Sequence, residues 1–274
     1  MVYARQKEEP MRSRSILTVV MIGLLAWSWA GTAQAAADRE KLLKEPGVYG
    51  SFAVFKVDGD WWKLDKATRG SAAAEVKAIF QKHADTVTTD TYLLRGLSEK
   101  ADFFVRVHSM EMLNNQNFLV DLMGTTFGKY LHNTNTFNGI TKMANYVPAF
   151  PDDLKEAMKT LPDPGPKSYV IVVPIRKDAE WWITAQDGRS TMMKEHADAT
   201  VTYLKTVKRK LYHSSGLDDL DFITYFETAK LDDFNNLVIG LERVNENRHN
   251  KQFGSPTLLG TIHSLDEILE VFSR

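Results

Sequence analysis

Phe52-Ala-Val-Phe-Lys-Val57 runs into Asp60-Trp61-Trp62, and Val170-Ile-Val-Val-Pro-Ile175 runs into Glu180-Trp181-Trp182. Each is a β-branched and aromatic run, the composition of a strand, followed by an acidic residue and paired tryptophans. Downstream, Asp102-Phe103-Phe104-Val105 matches Asp221-Phe222-Ile223-Thr224. The Trp pairs lie 120 residues apart and the Asp-Phe pairs 119. A near-constant offset across two separate matches indicates an internal duplication. A third pair, Lys82-His83-Ala84-Asp85 and Glu195-His196-Ala197-Asp198, is offset by 113. Either the helices of the two halves differ in length, or that match is accidental.

Working outward, each half repeats one order. A strand (about 48–57, and 168–175) is followed by a helix (about 66–84, and 187–205). Two strands come next (about 86–96 and 101–108; 207–215 and 220–228), then a second helix (about 110–122, and 230–243). Strand–helix–strand followed by strand–helix is the ferredoxin-like order. The fold class expected is α+β: two ferredoxin-like halves whose sheets join or pack as a barrel-like core, with helices outside. Phe253 to Arg274 adds a last strand and a short helix after Ser264. Pro151, Pro162, Pro164, Gly165 and Pro166 mark a linker. The expected division is a signal peptide over 1–35, an N-terminal half over 36–150, a linker over 151–167 and a C-terminal half over 168–274.

Composition narrows the chemistry. The formal charge is -1, which points to neither nucleic acid nor an anionic membrane surface. There is no cysteine, so disulfides, thiolate metal sites and cysteine nucleophiles are excluded. Arg12 and Arg14, the apolar run Ile16 to Trp29, and Ala33-Gln34-Ala35 read as the three regions of a secretory signal. The run is shorter than the ~20 residues a spanning helix needs, so cleavage and a periplasmic location are expected, with no membrane association afterwards. No HExxH, P-loop, dinucleotide-glycine or Gly-x-Ser-x-Gly pattern occurs.

Three segments could carry chemistry. Met192, Met193, His196, Ala199, Thr200 and Tyr203 recur at helical spacing, placing one imidazole in a mostly apolar stripe. That suits a hydrogen-bonded core histidine, or one facing a cofactor pocket, since neutral imidazole ligates iron. In Val207-Lys-Arg-Lys-Leu-Tyr-His213, strand alternation puts Arg209 and Leu211 on one face, with Lys208 and Lys210 on the other. Should Arg209 and Leu211 meet Thr224 and Phe226 of the next strand, they form a small apolar pocket with one guanidinium, suited to a small anion. The bland alternative is a solvated basic strand with Lys208 and Lys210 as its natural members. Trp181-Trp182 after Lys177 could pack a macrocycle and reach its carboxylate, or could simply be core beside a surface lysine. Trp61-Trp62 has no basic strand after it and reads as structural. So do His213 and His263, near turns and strand ends.

The run Lys205 to Thr228, with Ala179-Glu-Trp-Trp182, Asp233-Phe-Asn-Asn236 and Gly254 to His263, resembles the chlorite dismutases. Gly47-Val-Tyr-Gly50, Arg95-Gly-Leu97 and Gly139-Ile-Thr-Lys142 extend the likeness over about residues 45–274. The resemblance implies the long, exported, two-half form of that family: a homopentamer with one haem b per subunit, converting the anion chlorite to chloride and dioxygen. Carried over residue by residue, it implies His196 as proximal iron ligand in a haem-binding C-terminal half, with Glu246 as hydrogen-bond partner of the imidazole. It implies Arg209 as the catalytic distal arginine, and Leu211, Thr224 and Phe226 as distal walls. Tyr146, Lys177 and Trp181 match residues that hold haem propionates, with Trp182 beside the ring. The chain departs from the family pattern after His196, in Ala197-Asp-Ala-Thr-Val201, and at Arg248-His-Asn-Lys-Gln-Phe253. A related haem peroxidase, a coprohaem decarboxylase or a non-enzymatic haem-binding module shares the fold. The signal segment and Arg209 argue against the decarboxylase.

Overall fold

The computed structural model describes residues 46–142 and 168–274. The signal segment, the linker over 151–167 and Tyr146 lie outside the described residues. Among the described residues nine strands and six α-helices are formed: β1 Tyr49–Val57, α1 Lys66–Lys82, β2 Thr88–Leu93, β3 Phe103–Ser109, α2 Met112–Gly124 and β4 Leu131–Ile140, then β5 Tyr169–Lys177, α3 Ala179–Ile183, α4 Gln186–Thr200, β6 Val207–His213, β7 Phe222–Thr228, α5 Leu231–Leu241, β8 Asn250–Phe253, β9 Leu258–His263 and α6 Leu265–Ser273.

The strands form one antiparallel sheet that closes on itself: β7–β6–β4–β1–β3–β2–β9–β5 and back to β7, with β8 continuing along the edge of β5 beyond β9. Within each half the order is the ferredoxin-like one, β4–β1–β3–β2 and β9–β5–β7–β6. The seams between halves are short. β2 and β9 share three residue pairs, and β4 meets β6 only at Ile140–His213. At that second seam Gly139 is obligatory: a β-carbon there would lie 2.8 Å from Tyr212 Cβ and 2.9 Å from the Ser214 hydroxyl.

Strand alternation accounts for the two cores. In β1, Phe52 and Val54 point into the barrel while Ala53, Phe55 and Val57 face the helices. Both faces are therefore buried, which is why the run is apolar throughout rather than alternating. The barrel interior includes the rings of Phe52, Tyr92, Phe104, Phe137, Tyr212 and Tyr225, and a buried charge sits among them. Arg106 is paired to Asp90 at 2.7 Å and lies 3.9 Å over the ring of Tyr225. Lys210 also points inward and is buried. This corrects the reading of Lys210 as solvated: β6 lies between β4 and β7 in a closed sheet, so the face opposite Arg209 is barrel interior. Lys208 is exposed.

Capping sets the helix starts. Asp65 accepts from Thr68 N at the start of α1, and Ser264 with Glu267 forms a reciprocal capping box at α6. The turns Arg95-Gly96-Leu97 and Ser215-Gly216-Leu217 repeat between the halves, with φ of +89° and +78° at the glycines. Two strands have no clear sequence signal. β4, Leu-His-Asn-Thr-Asn-Thr-Phe-Asn-Gly-Ile, is rich in asparagine and is held by full-length pairing with β1. β8 is four residues long and interrupted from β9 by Gly254-Ser255-Pro256. Together β8 and β9 take the place that β4 takes in the first half.

Candidate functional site

Between the second half's sheet and its helices lies a cavity of about 400 Å³, within the range of roughly 300–1,000 Å³ usual for cofactor and small-ligand sites. α4 forms one wall. Gln186, Arg189, Met193 and His196, spaced three, four and three residues apart, line it along one helical face. The stripe expected from the sequence is divided: Met193 and His196 face the cavity, whereas Ala199 packs on α5, where a β-carbon on Gly240 would lie 3.2 Å from the Ala199 carbonyl. The opposite wall is β6 and β7, with Arg209, Leu211, His213, Phe222, Thr224 and Phe226. Side-chain parity predicts the meeting of Arg209 and Leu211 with Thr224 and Phe226, and β6–β7 pairing sets it, with Arg209 opposite Phe226 and Leu211 opposite Thr224.

The imidazole of His196 is held from behind. Its Nδ1 lies 3.2 Å from Glu246 Oε2, and Nε2 has no partner among the described residues. Burial, with the charges of Arg209 and Lys177 adding to it, lowers His196 to about 3, so the ring is neutral. Glu246 is buried in the 3-10 turn Asn245–His249. Its other oxygen is ion-paired with Lys177 Nζ, which also donates to Asn250 Oδ1 at 2.7 Å and lies 4.5 Å over the ring of Trp181. Burial pulls Lys177 down to about 8, against the charges of Asp178 and Asp221.

The Lys177 ammonium thus meets Glu246 and Asn250 at the cavity floor. The turn bearing Glu246 is fastened to the strand end bearing Lys177 by His249. Its carbonyl accepts from Asp178 N at 3.0 Å, and its Nδ1 lies 3.1 Å from the Asp178 carboxylate. Asp178 also caps α3 by accepting from Trp181 N, which places Trp181 in the cavity wall.

Arg209 reaches across to α4. Its Nη1 donates to Thr200 Oγ1 at 3.2 Å, and that hydroxyl donates to the His196 carbonyl at 3.0 Å. Arg209 and His196 thus belong to one cavity. Trp182 sits at the mouth, 45% exposed, with its ring 6.1 Å from Phe222. Every site residue that the sequence singles out and the structure describes lines this cavity. Sequence reading missed Arg189 and His213. Arg189 stands seven residues before His196, two helical turns along the same face, a spacing that could have found it. His213 lies on the Arg209 face of β6, and its place at a strand end suggested a structural role. Burial and the charge of Lys142 lower it to about 4.

Fold and cavity define a class: closed α+β barrels of two ferredoxin-like halves, one of which carries a histidine-centred ligand pocket. The chain belongs to the chlorite dismutase family. The family model described as chlorite dismutase matches residues 69–263. A chlorite dismutase of Ideonella dechloratans is 41% identical over 239 residues, covering 86% of this chain and 84% of that protein. The structure of chlorite dismutase from Candidatus Nitrospira defluvii in complex with imidazole is 51% identical, with a TM-score of 0.83, and covers 86% of this chain and 100% of that one. A haem-binding protein from Thermus thermophilus shares the fold at 18% identity, with a TM-score of 0.72 over 84% of this chain and 96% of that one.

Proposed function

We propose that the cavity holds one haem b per chain and that the chain converts chlorite to chloride and dioxygen. The observation that carries this is one cavity in which a neutral imidazole, backed by Glu246 and Lys177, faces a guanidinium across apolar walls. The residues fit the group. His196 offers an unpartnered nitrogen in the protonation state that binds iron, and its other nitrogen is held by a carboxylate, the arrangement that fixes the tautomer and raises ligand basicity. Aromatic and aliphatic side chains among the walls, Trp181, Met193, Leu211, Phe222 and Phe226, suit the faces of a macrocycle.

Bound haem would supply the redox-active iron at which the chlorine–oxygen bonds break and the oxygen–oxygen bond forms. His196 would hold the iron. Glu246 accepts a hydrogen bond from Nδ1, and its ion pair with Lys177 holds it in place. Arg209 would attract the chlorite anion and hold it in the cavity by charge-assisted hydrogen bonds. Leu211, Thr224 and Phe226 keep water out, which strengthens that hold. Conversion of one chlorite to one chloride and one dioxygen balances atoms and charge with no net proton, so the site needs no dedicated general acid.

The proposal extends to the setting. The basic and apolar segment ending at Ala35 directs export to the periplasm, and the mature chain assembles as a homopentamer. Support for assembly is the apolar surface that α2 leaves exposed, with Leu113 at 62% and Val120 at 56%. Among the described residues no helix is long and apolar enough to cross a membrane. The test of function is chlorite added to the purified haem-loaded protein at an oxygen electrode. One dioxygen per chlorite is expected. An intact haem spectrum with no oxygen released contradicts the reading.

A further inference from the structure

With Lys177 paired to Glu246 and Lys210 turned into the barrel, the cations left on the cavity for the acidic substituents of a porphyrin are two guanidiniums. Arg209 is engaged with Thr200 on the wall that faces the substrate. The other guanidinium on the cavity is Arg189, half-buried on the first turns of α4. Among the described residues its side chain has no hydrogen-bond or ion-pair partner. A guanidinium stays charged at any working pH and presents five donors in a planar fork. Half-buried on a cavity wall, it leaves these donors open to a ligand. That is the environment in which an incoming carboxylate gains most, because a bidentate pair is formed in partly water-excluded surroundings.

Position agrees with this. Seven helical residues separate Arg189 from His196, about 10 Å along the axis, the scale on which a porphyrin carries its carboxylates from its metal. Gln186, one turn further on the same face, adds a neutral amide to the same edge of the cavity. In the first half the residue 120 positions earlier, Arg69, is not left open: it donates to the carbonyl of Leu64 and to the C-terminal residue Arg274. The same place on the duplicated helix thus carries an arginine that closes its half through the chain terminus, and one that faces a cavity.

We propose that Arg189 binds a propionate carboxylate of the haem, acting as an anchor at the cavity mouth. This rests on the haem reading of the same cavity. The rival role for this cation is to draw the chlorite anion in. The two are separated by a ligand that keeps the macrocycle and lacks the carboxylates.

Haem-free full-length protein and its Arg189→Gln and Arg189→Lys variants are titrated with haemin and with haemin dimethyl ester, followed at the Soret band. The wild type should bind haemin about tenfold more tightly than Arg189→Gln does, the size expected for one charge-assisted pair. The two should bind the diester alike, and Arg189→Lys should recover part of the preference for haemin. Equal haemin affinity in wild type and Arg189→Gln overturns the proposal. So does equal loss of both ligands, which marks a packing role. A raised KM for chlorite with unchanged haemin affinity overturns it in favour of substrate capture. A wild type that binds neither ligand rejects the haem reading itself.

Discussion

The two halves share one frame and differ in what fills it. At the offset fixed by the Trp pairs, Val76 stands where the second half has His196, Val57 where it has Lys177, and Thr89 where it has Arg209. The first half packs this volume solid. α6, at the chain's end, lays Ile268, Leu269 and Phe272 into it, and Phe272 contacts Trp62 and Phe103, the counterparts of Trp182 and Phe222. The Trp61 indole donates to the Phe272 carbonyl at 2.8 Å. In the second half the counterpart tryptophan is turned to service. Trp181 stacks beside Lys177 and His249, where the first half has Trp61 beside Tyr130. The fold therefore does not need a histidine, a lysine or a buried carboxylate at these places. Their presence in one half runs against what packing favours, and residues that break a packing rule without structural return mark function.

Four experiments break or sharpen this contrast. The largest effect is expected from importing the first half's residue at the ligand position. His196→Val should abolish oxygen release from chlorite, measured at an oxygen electrode, while the haem-free chain melts no lower than the wild type. A variant that still releases oxygen would remove His196 from the site. Next, Arg209→Thr, copying Thr89, should keep haem but lower kcat/KM by about 10²–10³, the loss typical of removing a charge-stabilising donor. It should also leak more hypochlorite to a scavenger and inactivate sooner. Unchanged turnover and lifetime would count against a retaining role.

Third, Phe272→Ala opens the plugged half. It should cost about 3–5 kcal/mol in chemical denaturation and leave haem affinity unchanged, and a change in haem affinity would show that the halves are not separate in role. The smallest effect is one of pH. His196 and His213 stay neutral in the folded chain down to about 3 and about 4, whereas in the unfolded chain they take up protons near the ordinary 6.5. The haem-free chain should therefore lose stability as pH falls from 6.5 toward 4, because the unfolded state binds more protons. Melting curves of the wild type should fall more steeply over that range than those of His196→Val, and parallel curves would contradict the buried neutral imidazole.

Much of this was legible in sequence because it depends on periodicity. Strand alternation alone groups Arg209 with Leu211 and Thr224 with Phe226, and the Trp and Asp-Phe offsets give the duplicated order. Helix spacing puts His196 in an apolar stripe. What escaped depends on tertiary closure. β4 has an asparagine-rich sequence that becomes a strand only because β1 offers its edge. Lys210 is turned inward by a closed sheet that no local pattern announces. Lys177 looks like a surface lysine until the turn carrying Glu246 folds back over it, fastened by His249 on Asp178. The offset of 113 between His83 and His196 proved accidental: α1 and α4 begin 120 residues apart, so His83 caps the end of α1 while His196 lies inside α4. Tyr146 lies outside the described residues, and its part in holding propionates stays a proposal from resemblance.

The contrast between the halves predicts one haem pocket per chain, centred on His196. Titrating the haem-free protein with haemin at the Soret band tests it most directly. A sharp break at one haemin per chain, lost in His196→Val, is the result predicted. Saturation at two per chain, or the same break in the valine variant, would contradict it.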